Sequence, residues 1–184
     1  LKNALGEGPD LILIGEINDA ETMEAAVSFA ETGHLCMATL HANNSDQAME
    51  RVLNFFPSDM HNNVLMNLAL NLRAVISQRL VIDVDGKRRP ACEVLMNTPQ
   101  IREMIRRGEI SELKMAMEKS LEDGMQTFDQ ALYDLYSAGE ITYEDAMLHA
   151  DSPNDLRLMI KLGNETDASS LDVATRGLSI EDTE

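Results

Sequence analysis

Tryptophan is absent from this 184-residue chain, and only 4% of its residues are aromatic. A core without large rings must be filled by Leu, Ile, Val, Ala and Met. The 12 methionines serve first as flexible core filler, with a Met-rich partner surface as their other use. There are only two cysteines, Cys36 and Cys92. They are too few for a four-cysteine zinc site and, as isolated thiols, suit a reducing compartment. The chain has no run of 18 apolar residues and no signal peptide, so a soluble cytoplasmic protein is expected. Positive charge is scarce: 15 Lys and Arg stand against 32 Asp and Glu, a formal net charge of −17. That balance argues against binding nucleic acid through a broad basic face.

What is present is a globular composition, 44% apolar, enough for one domain with a core and a small helical appendage. Leu11-Ile12-Leu13-Ile14 follows Pro9-Asp10 as a continuous apolar run, the pattern of a strand buried on both faces. A helix is expected from Ala20 to Glu31, with Asp19 as N-cap and Met23, Ala26, Val27 and Ala30 as its apolar stripe. Gly33 breaks it, and Leu35 to Leu40 reads as a second buried strand. Strand, helix and strand within about 30 residues make a βαβ unit with a parallel pair. Ser45 to Asn54 reads as a helix, with Asn44 and Gln47 spaced like a capping box. Leu65, Leu68, Ala69, Leu72, Val75 and Ile76 fall on one stripe of a longer helix. Asp85-Gly86 reads as a hairpin turn between Leu80–Val84 and Ala91–Leu95.

From Thr98 the pattern turns helical. Ile101, Met104 and Ile105 open one helix ended by Gly108, and Leu113 to Met117 opens another. Phe128, Ala131, Leu132, Leu135 and Tyr136 mark a third before Gly139. Thr142 with Asp145, and Ser152 with Pro153 and Asp155, read as two further helix starts. Residues 164–184 carry six acids and one Arg with little periodicity, so a disordered acidic tail is expected there.

Two segments hold candidate chemistry. Leu11-Ile12-Leu13-Ile14-Gly15-Glu16 delivers a carboxylate at the carboxyl end of an apolar strand, where open parallel sheets bind ligands. A carboxylate there orients a water for attack on a γ-phosphate or holds the shell of Mg²⁺. Alone, the same pattern also describes an ordinary buried strand. Thr32-Gly33-His34-Leu35-Cys36-Met37-Ala38-Thr39-Leu40-His41 places a histidine at each end of the second strand, with His41 on the rim that carries Glu16. A metal site built from Glu16, His34 and His41 is the competing reading, and the opposite strand ends of the two histidines argue against it.

The stretch "GPDLILIGEINDAETMEAAVSFAETGHLCMATLHANN" resembles the Walker B and His-box region of secretion-type ATPases, the motors of type IV pili and type II secretion. The resemblance is strongest to the pilus retraction branch, the PilT/PilU family, on its PilU side. "VISQRLV", "GKRRPACEVLMNTPQIREMIRRGEISELK", "GMQTFDQALYDLY", "ITYEDAM" and "DSPNDLRLMIK" are similar to the same branch in the same order, so the resemblance spans residues 1–163. It implies an α/β, RecA-like P-loop NTPase core over residues 1–97, holding the C-terminal part of the ATPase domain. A helical C-terminal subdomain over 98–163 and the tail over 164–184 follow. It further implies ATP and Mg²⁺ as ligands, with Glu16 as the water-activating Walker B glutamate. Thr32, Gly33, His34, Thr39 and His41 would read the nucleotide state. Ile101, Arg102, Met104, Ile105 and Arg106 match the helix associated with retraction; by periodicity alone they form an amphipathic helix with a solvated Arg face.

The implied assembly is a homo-hexamer, or a mixed one with a paralogous retraction ATPase. It would act with an inner-membrane pilus platform protein, in the cytoplasm at the inner membrane, without nucleic acid or zinc. The lack of a four-cysteine module after the His box favours retraction over extension or secretion motors. Two departures stand out. Asn18 precedes Asp19 where family members carry Arg, and Asn supplies neither the charge nor the bidentate geometry. The phosphate loop G-x-x-x-x-G-K-[ST] does not occur, since Gly86-Lys87 is followed by Arg88 in the hairpin turn. With Leu1 at the start, the expected context is the C-terminal part of a motor whose phosphate loop is encoded upstream. A non-catalytic module that co-assembles with an intact retraction ATPase is the alternative. The isolated 184-residue polypeptide is therefore expected to show no appreciable Mg-ATP turnover. Robust turnover that disappears in E16Q would overturn this.

Overall fold

The structure, a computed structural model, describes residues 9–120 and 124–163. Its opening is the expected βαβ unit: β1 (Leu11–Ile14), α1 (Ala20–Glu31) and β2 (Leu35–Ala38). The strands pair in parallel, Leu11 opposite Leu35 through Ile14 opposite Ala38. Parallel neighbours need a crossover long enough to return the chain, and α1 provides it. Asp19 starts α1 by accepting the Thr22 N–H at 2.7 Å, and those contacts hold its carboxyl below the usual range. Met23, Ala26 and Phe29 form the buried side of α1. Phe29 was not in the expected stripe, while Val27 and Ala30 sit at its margin.

The sheet departs from expectation in its burial. Only Ile12 and Ile14 of β1 are buried, while Leu13 is 73% exposed and Leu11, Leu35 and Met37 also face out. A parallel strand reads as continuously apolar when both faces are covered. Among the described residues α1 and its neighbours cover one face. The second strand also ends at Ala38, two residues short of Leu40.

α2 (Ser45–Asn54) and α3 (His61–Asn71) follow, separated by Phe55-Phe56-Pro57 and a short 3-10 turn. Asn44 caps α2 by accepting the Gln47 N–H at 2.9 Å. The return half of the box is displaced by one residue: Gln47 Oε1 accepts from Asn43 Nδ2 at 2.9 Å. The stripe running to Ile76 breaks at Asn71. Leu72 leaves the helical region at φ −59, ψ 140, and residues Ala74–Ile82 become β3. The cause is a distant side chain. Asn97 Nδ2 donates to the carbonyls of Ala69 (3.0 Å) and Leu72 (2.8 Å), and its backbone N–H donates to Arg73. These donors satisfy carbonyls that a helix end leaves without partners, and the β-branched run beyond them suits a strand.

β3 turns into β4 (Arg88–Met96) around Asp83, whose Oδ1 accepts the N–H groups of Asp85 and Lys87; Gly86 takes the left-handed conformation at φ 78. The hairpin is longer on both sides than the expected strands. α4 (Pro99–Arg107), α5 (Leu113–Glu118), α6 (Phe128–Ser137), α7 (Tyr143–His149) and α8, over residues 153–163, complete the chain. The expected starts at Thr142 and Ser152 hold: Thr142 accepts from Asp145, and Leu156 N–H bonds the Ser152 carbonyl. The tail expected over 164–184 lies outside the described residues.

The described residues form two compact units, 9–79 with 92–120 and 124–127, and 80–91 with 128–163. The first holds a core running from Ile12, Met23 and Phe29 through Met49, Val52 and Leu68 to Ile101, Ile105 and Leu113. α4 and α5 therefore share one core with the βαβ unit. The second gathers Val81, Phe128, Leu132, Ile141, Leu156 and Ile160, and Arg89 bridges the acids Asp83 and Glu140. Removing the Asn97 amide strips two carbonyls of their donor at a partly buried helix end. N97A is expected to cost about 1–3 kcal/mol in urea unfolding, and a change below about 0.5 kcal/mol would rule Asn97 out as the group that ends α3.

Candidate functional site

Past Ile14 the chain keeps its grip on the neighbouring strand. The Ile17 N–H donates to the Thr39 carbonyl at 2.9 Å, and the Thr39 hydroxyl donates to the Gly15 carbonyl. Ile17 is buried, and alternation along an extended chain turns the preceding side chain, Glu16, the other way. Glu16 thus emerges at the carboxyl rim of the sheet. His41 arrives from the second strand through a tight turn closed by Ala42 N–H on the Leu40 carbonyl at 3.1 Å. Its Nε2 lies 3.3 Å from Glu16 Oε1, the imidazole 78% and the carboxylate 41% exposed. So exposed a pair adds little to stability; its content is placement, an acceptor-only oxygen beside a ring that carries or yields a proton.

The rim is open. A Cβ on Gly15 would meet nothing within 4 Å, and a polar hollow of about 500 Å³ beside His41 is lined by Asn43, Gln47, Glu50, Arg51 and Asn54. A larger cleft of about 630 Å³ runs along Met23, Val27, Cys36, Met49 and Leu72. It takes in Gly33, His34 and Thr39 as well, with polar and apolar surface in similar measure, but the Glu16–His41 pair lies outside it.

Thr32, Gly33 and His34 occupy the other end of β2. Thr32 closes α1 with its hydroxyl on the Ser28 and Phe29 carbonyls, at 3.0 and 2.9 Å. Gly33 takes φ 91, a left-handed conformation that glycine adopts at little cost. His34 Nδ1 lies 3.0 Å from the Thr32 hydroxyl and 3.3 Å from the Phe29 carbonyl. Glu16, Thr39 and His41 therefore come together, whereas Thr32 and His34 stand away by the length of a four-residue strand, about 13 Å. Among the described residues no three His, Cys, Asp or Glu side chains cluster as metal ligands do.

On α4, Ile101 and Ile105 are buried and Met104 packs against the same core, while Arg102 and Arg106 lie on the exposed side. Glu103 joins that side: Arg106 holds it through two bonds, 2.8 and 2.6 Å, and Arg107 Nε through one of 2.7 Å. These donors pull its carboxyl down from 4.5 to about 2.

One polar contact near the site was not foreseen. Glu93, 2% exposed in the middle of β4, accepts both the N–H and the hydroxyl of Ser45, at 2.7 and 2.8 Å. Its signal was an acid between Ala91 and Leu95, on the inward side of an alternating strand.

Residues 1–106 match the family model for type II/IV secretion system proteins. The chain is 62% identical, over its whole length, to the type IV pilus ATPase PilU of Pseudomonas aeruginosa, of which it covers 48%. It is 38% identical to the type IV pilus retraction ATPase PilT of the same organism, covering 84% of this chain and 45% of that one. The chain thus spans about half the length of these curated relatives. Among solved structures, the pilus retraction motor PilT with bound ADP superposes with a TM-score of 0.76 at 38% identity, over 85% of this chain and 44% of that chain. The Legionella pneumophila ATPase DotB superposes with a TM-score of 0.70 at 29% identity, over 80% of this chain and 40% of that one. The fold is accordingly the RecA-like ATPase fold, α/β with a helical C-terminal part.

The lowered Glu103 carboxyl fixes the sign of a pH effect. A group whose folded pKa lies below its unfolded value stabilises above the unfolded value and loses that contribution as pH falls through the folded one. The Glu103–Arg106–Arg107 cluster should be fully present above pH 4.5 and lost as pH falls towards 2. Wild type should exceed E103Q in stability above pH 4.5, and the two should converge near pH 2. A difference independent of pH in acid-unfolding curves would contradict this.

Proposed function

Because the chain belongs to the type II/IV secretion system protein family, we propose that it supplies the Walker B and His-box side of the ATP-hydrolysing centre of a type IV pilus retraction motor. The observation that carries this reading is the meeting of Glu16 and His41, 3.3 Å apart, at the carboxyl rim of a parallel strand pair. Glu16 accepts a hydrogen bond from a water and takes its proton as the water oxygen bonds to the γ-phosphorus of ATP, while the bond from that phosphorus to the β,γ-bridging oxygen breaks and ADP leaves. His41 holds the carboxylate oxygen that is not engaged with the water and responds to the charge that develops there. Thr39 acts through the backbone, since its hydroxyl is committed to the Gly15 carbonyl.

One carboxylate at this rim suits the water shell of a hard divalent cation. The Glu16 carboxylate is an oxygen ligand of the kind Mg²⁺ takes, usually through water, and the space before Gly15 leaves the rim accessible. Mg²⁺, when bound, neutralises charge on the phosphate oxygens. Thr32, Gly33 and His34 read the nucleotide state from the far end of β2, which suits ATP held between subunits of a hexamer, homomeric or mixed with a paralogous retraction ATPase. Ile101, Arg102, Met104, Ile105 and Arg106 form the retraction-associated helix. Residues 1–97 form the ATPase domain in this reading and 98–163 the helical subdomain, although α4 and α5 pack into the core of the former. The motor works in the cytoplasm against an inner-membrane pilus platform protein; no helix among the described residues is long and apolar enough to cross a membrane.

In the full-length protein E16Q should lower ATP turnover by about 100-fold or more while nucleotide stays bound. H41A should lower kcat with little change in nucleotide affinity. Turnover unchanged in E16Q would remove Glu16 from the reaction and leave a chain that only co-assembles.

A further inference from the structure

We propose that Glu93 is a positioning residue for His41, acting through Ser45 at the head of α2; this rests on the reading of Glu16 and His41 as a hydrolytic pair. The segment from Thr39 to Ser45 crosses from the end of β2 to the start of α2 in seven residues. Its first anchor is Thr39, bound to Ile17 and Gly15. Its last is Ser45, whose N–H and hydroxyl both end on Glu93 Oε1. Between the anchors the segment is tied mainly to itself and to the head of α2: Ala42 N–H closes a turn on the Leu40 carbonyl, Asn43 and Asn44 bond Gln47, and Arg79 Nη2 reaches the Asn43 carbonyl at 3.4 Å, so the segment moves with α2. His41 lies two residues past the first anchor and four before the second, and it is exposed, so no packing of its own side chain fixes it. Its distance to Glu16 is therefore set by where the two anchors stand.

The chemistry of the second anchor supports this role. Ser45 is 1% exposed and Glu93 2% exposed. A carboxylate there faces the first N–H of a helix, where the helix dipole favours negative charge, and its Oε1 accepts from both Ser45 donors. The Ser45 hydroxyl also approaches Met117 Sδ at 3.9 Å, an apolar surrounding that strengthens the bond and makes its loss costly. β4, which carries Glu93, thus dictates where α2 begins, and a start displaced by a fraction of a residue would carry His41 away from Glu16.

The test is a double-mutant cycle on ATP hydrolysis by the full-length protein. E93A should lower kcat between about tenfold and a hundredfold with KM changed less than twofold. E93Q, whose amide oxygen still accepts from Ser45, should retain most of the activity. In an H41A background E93A should change kcat less than twofold, because its effect runs through His41. An equal loss from E93A in both backgrounds would make the contact merely structural and overturn the proposal, as would an unchanged kcat in E93A. If E93A does not fold, S45A, which removes only the hydroxyl, takes its place in the same cycle with a smaller expected loss. A second readout does not depend on hydrolysis. The ring resonances of His41 in NMR spectra should shift or broaden in E93A or S45A and stay in place in E93Q. Unmoved His41 resonances would overturn the positioning role. Turnover unaffected by E16Q and H41A would instead overturn the hydrolytic reading, with the resonances still deciding whether Glu93 places His41.

Discussion

The parallel pairing of β1 with β2 is the constraint on which the remaining geometry depends. Antiparallel strands would put the end of one beside the start of the other, and Glu16 would then face His34 rather than His41. In the parallel register, Leu11 with Leu35 through Ile14 with Ala38, both carboxyl ends arrive at one rim. The Thr39–Ile17 and Thr39–Gly15 bonds extend that registration past the strands. The crossover helix makes the arrangement possible, and its Asp19 cap and Thr32-Gly33 stop fix its length. A change at either end of α1 would slide one strand against the other and separate the pair without touching either member.

Much of this was legible in the sequence because short-range rules decided it. The starts of α1, α2, α7 and α8 follow from side chains one turn away: Asp19, Asn44, Thr142 and Ser152. The stops at Gly33, Gly108 and Gly139 follow from the ease with which glycine takes positive φ. Placing Glu16 and His41 on one rim required only that the two strands be parallel. What escaped was decided at long range. The spacing of Leu65, Leu68, Leu72 and Ile76 continues a helix well, but the group that ends α3 is Asn97, which lies 25 residues beyond Leu72. No local pattern carries that information.

The same limit explains the burial of the sheet. A run such as Leu11–Ile14 records that side chains are apolar on both faces, yet it cannot state what covers each of them. Among the described residues the inner face packs on α1 and the helices beyond it, and the outer face of Leu11, Leu13, Leu35 and Met37 remains open. Glu93 and Asp83 escaped for a related reason. Glu93 lies on the inward side of β4 and Asp83 is buried just past the end of β3, and apolar patterning treats either acid as an interruption. In the structure each gathers N–H donors, Ser45 in one case and Asp85 with Lys87 in the other, and so organises the backbone around it.

The cap that closes α1 has a consequence for the proton on His34. The Phe29 carbonyl can only accept, so an imidazole nitrogen 3.3 Å from it must be the one that carries hydrogen. The Thr32 hydroxyl directs its own hydrogen at the Ser28 and Phe29 carbonyls and offers Nδ1 a lone pair. With the Thr32 hydrogen on one of those carbonyls, neutral His34 satisfies the Phe29 carbonyl as the Nδ1–H tautomer, which leaves the lone pair on Nε2. At His41 the same rule acts on the other nitrogen, because Nε2 meets an acceptor-only carboxylate and bonds it only as a donor. Of the two histidines that flank β2, His34 in this tautomer offers a lone pair at its outer nitrogen and His41 donates at the same atom, so the ends of β2 differ in hydrogen-bonding polarity as well as in position.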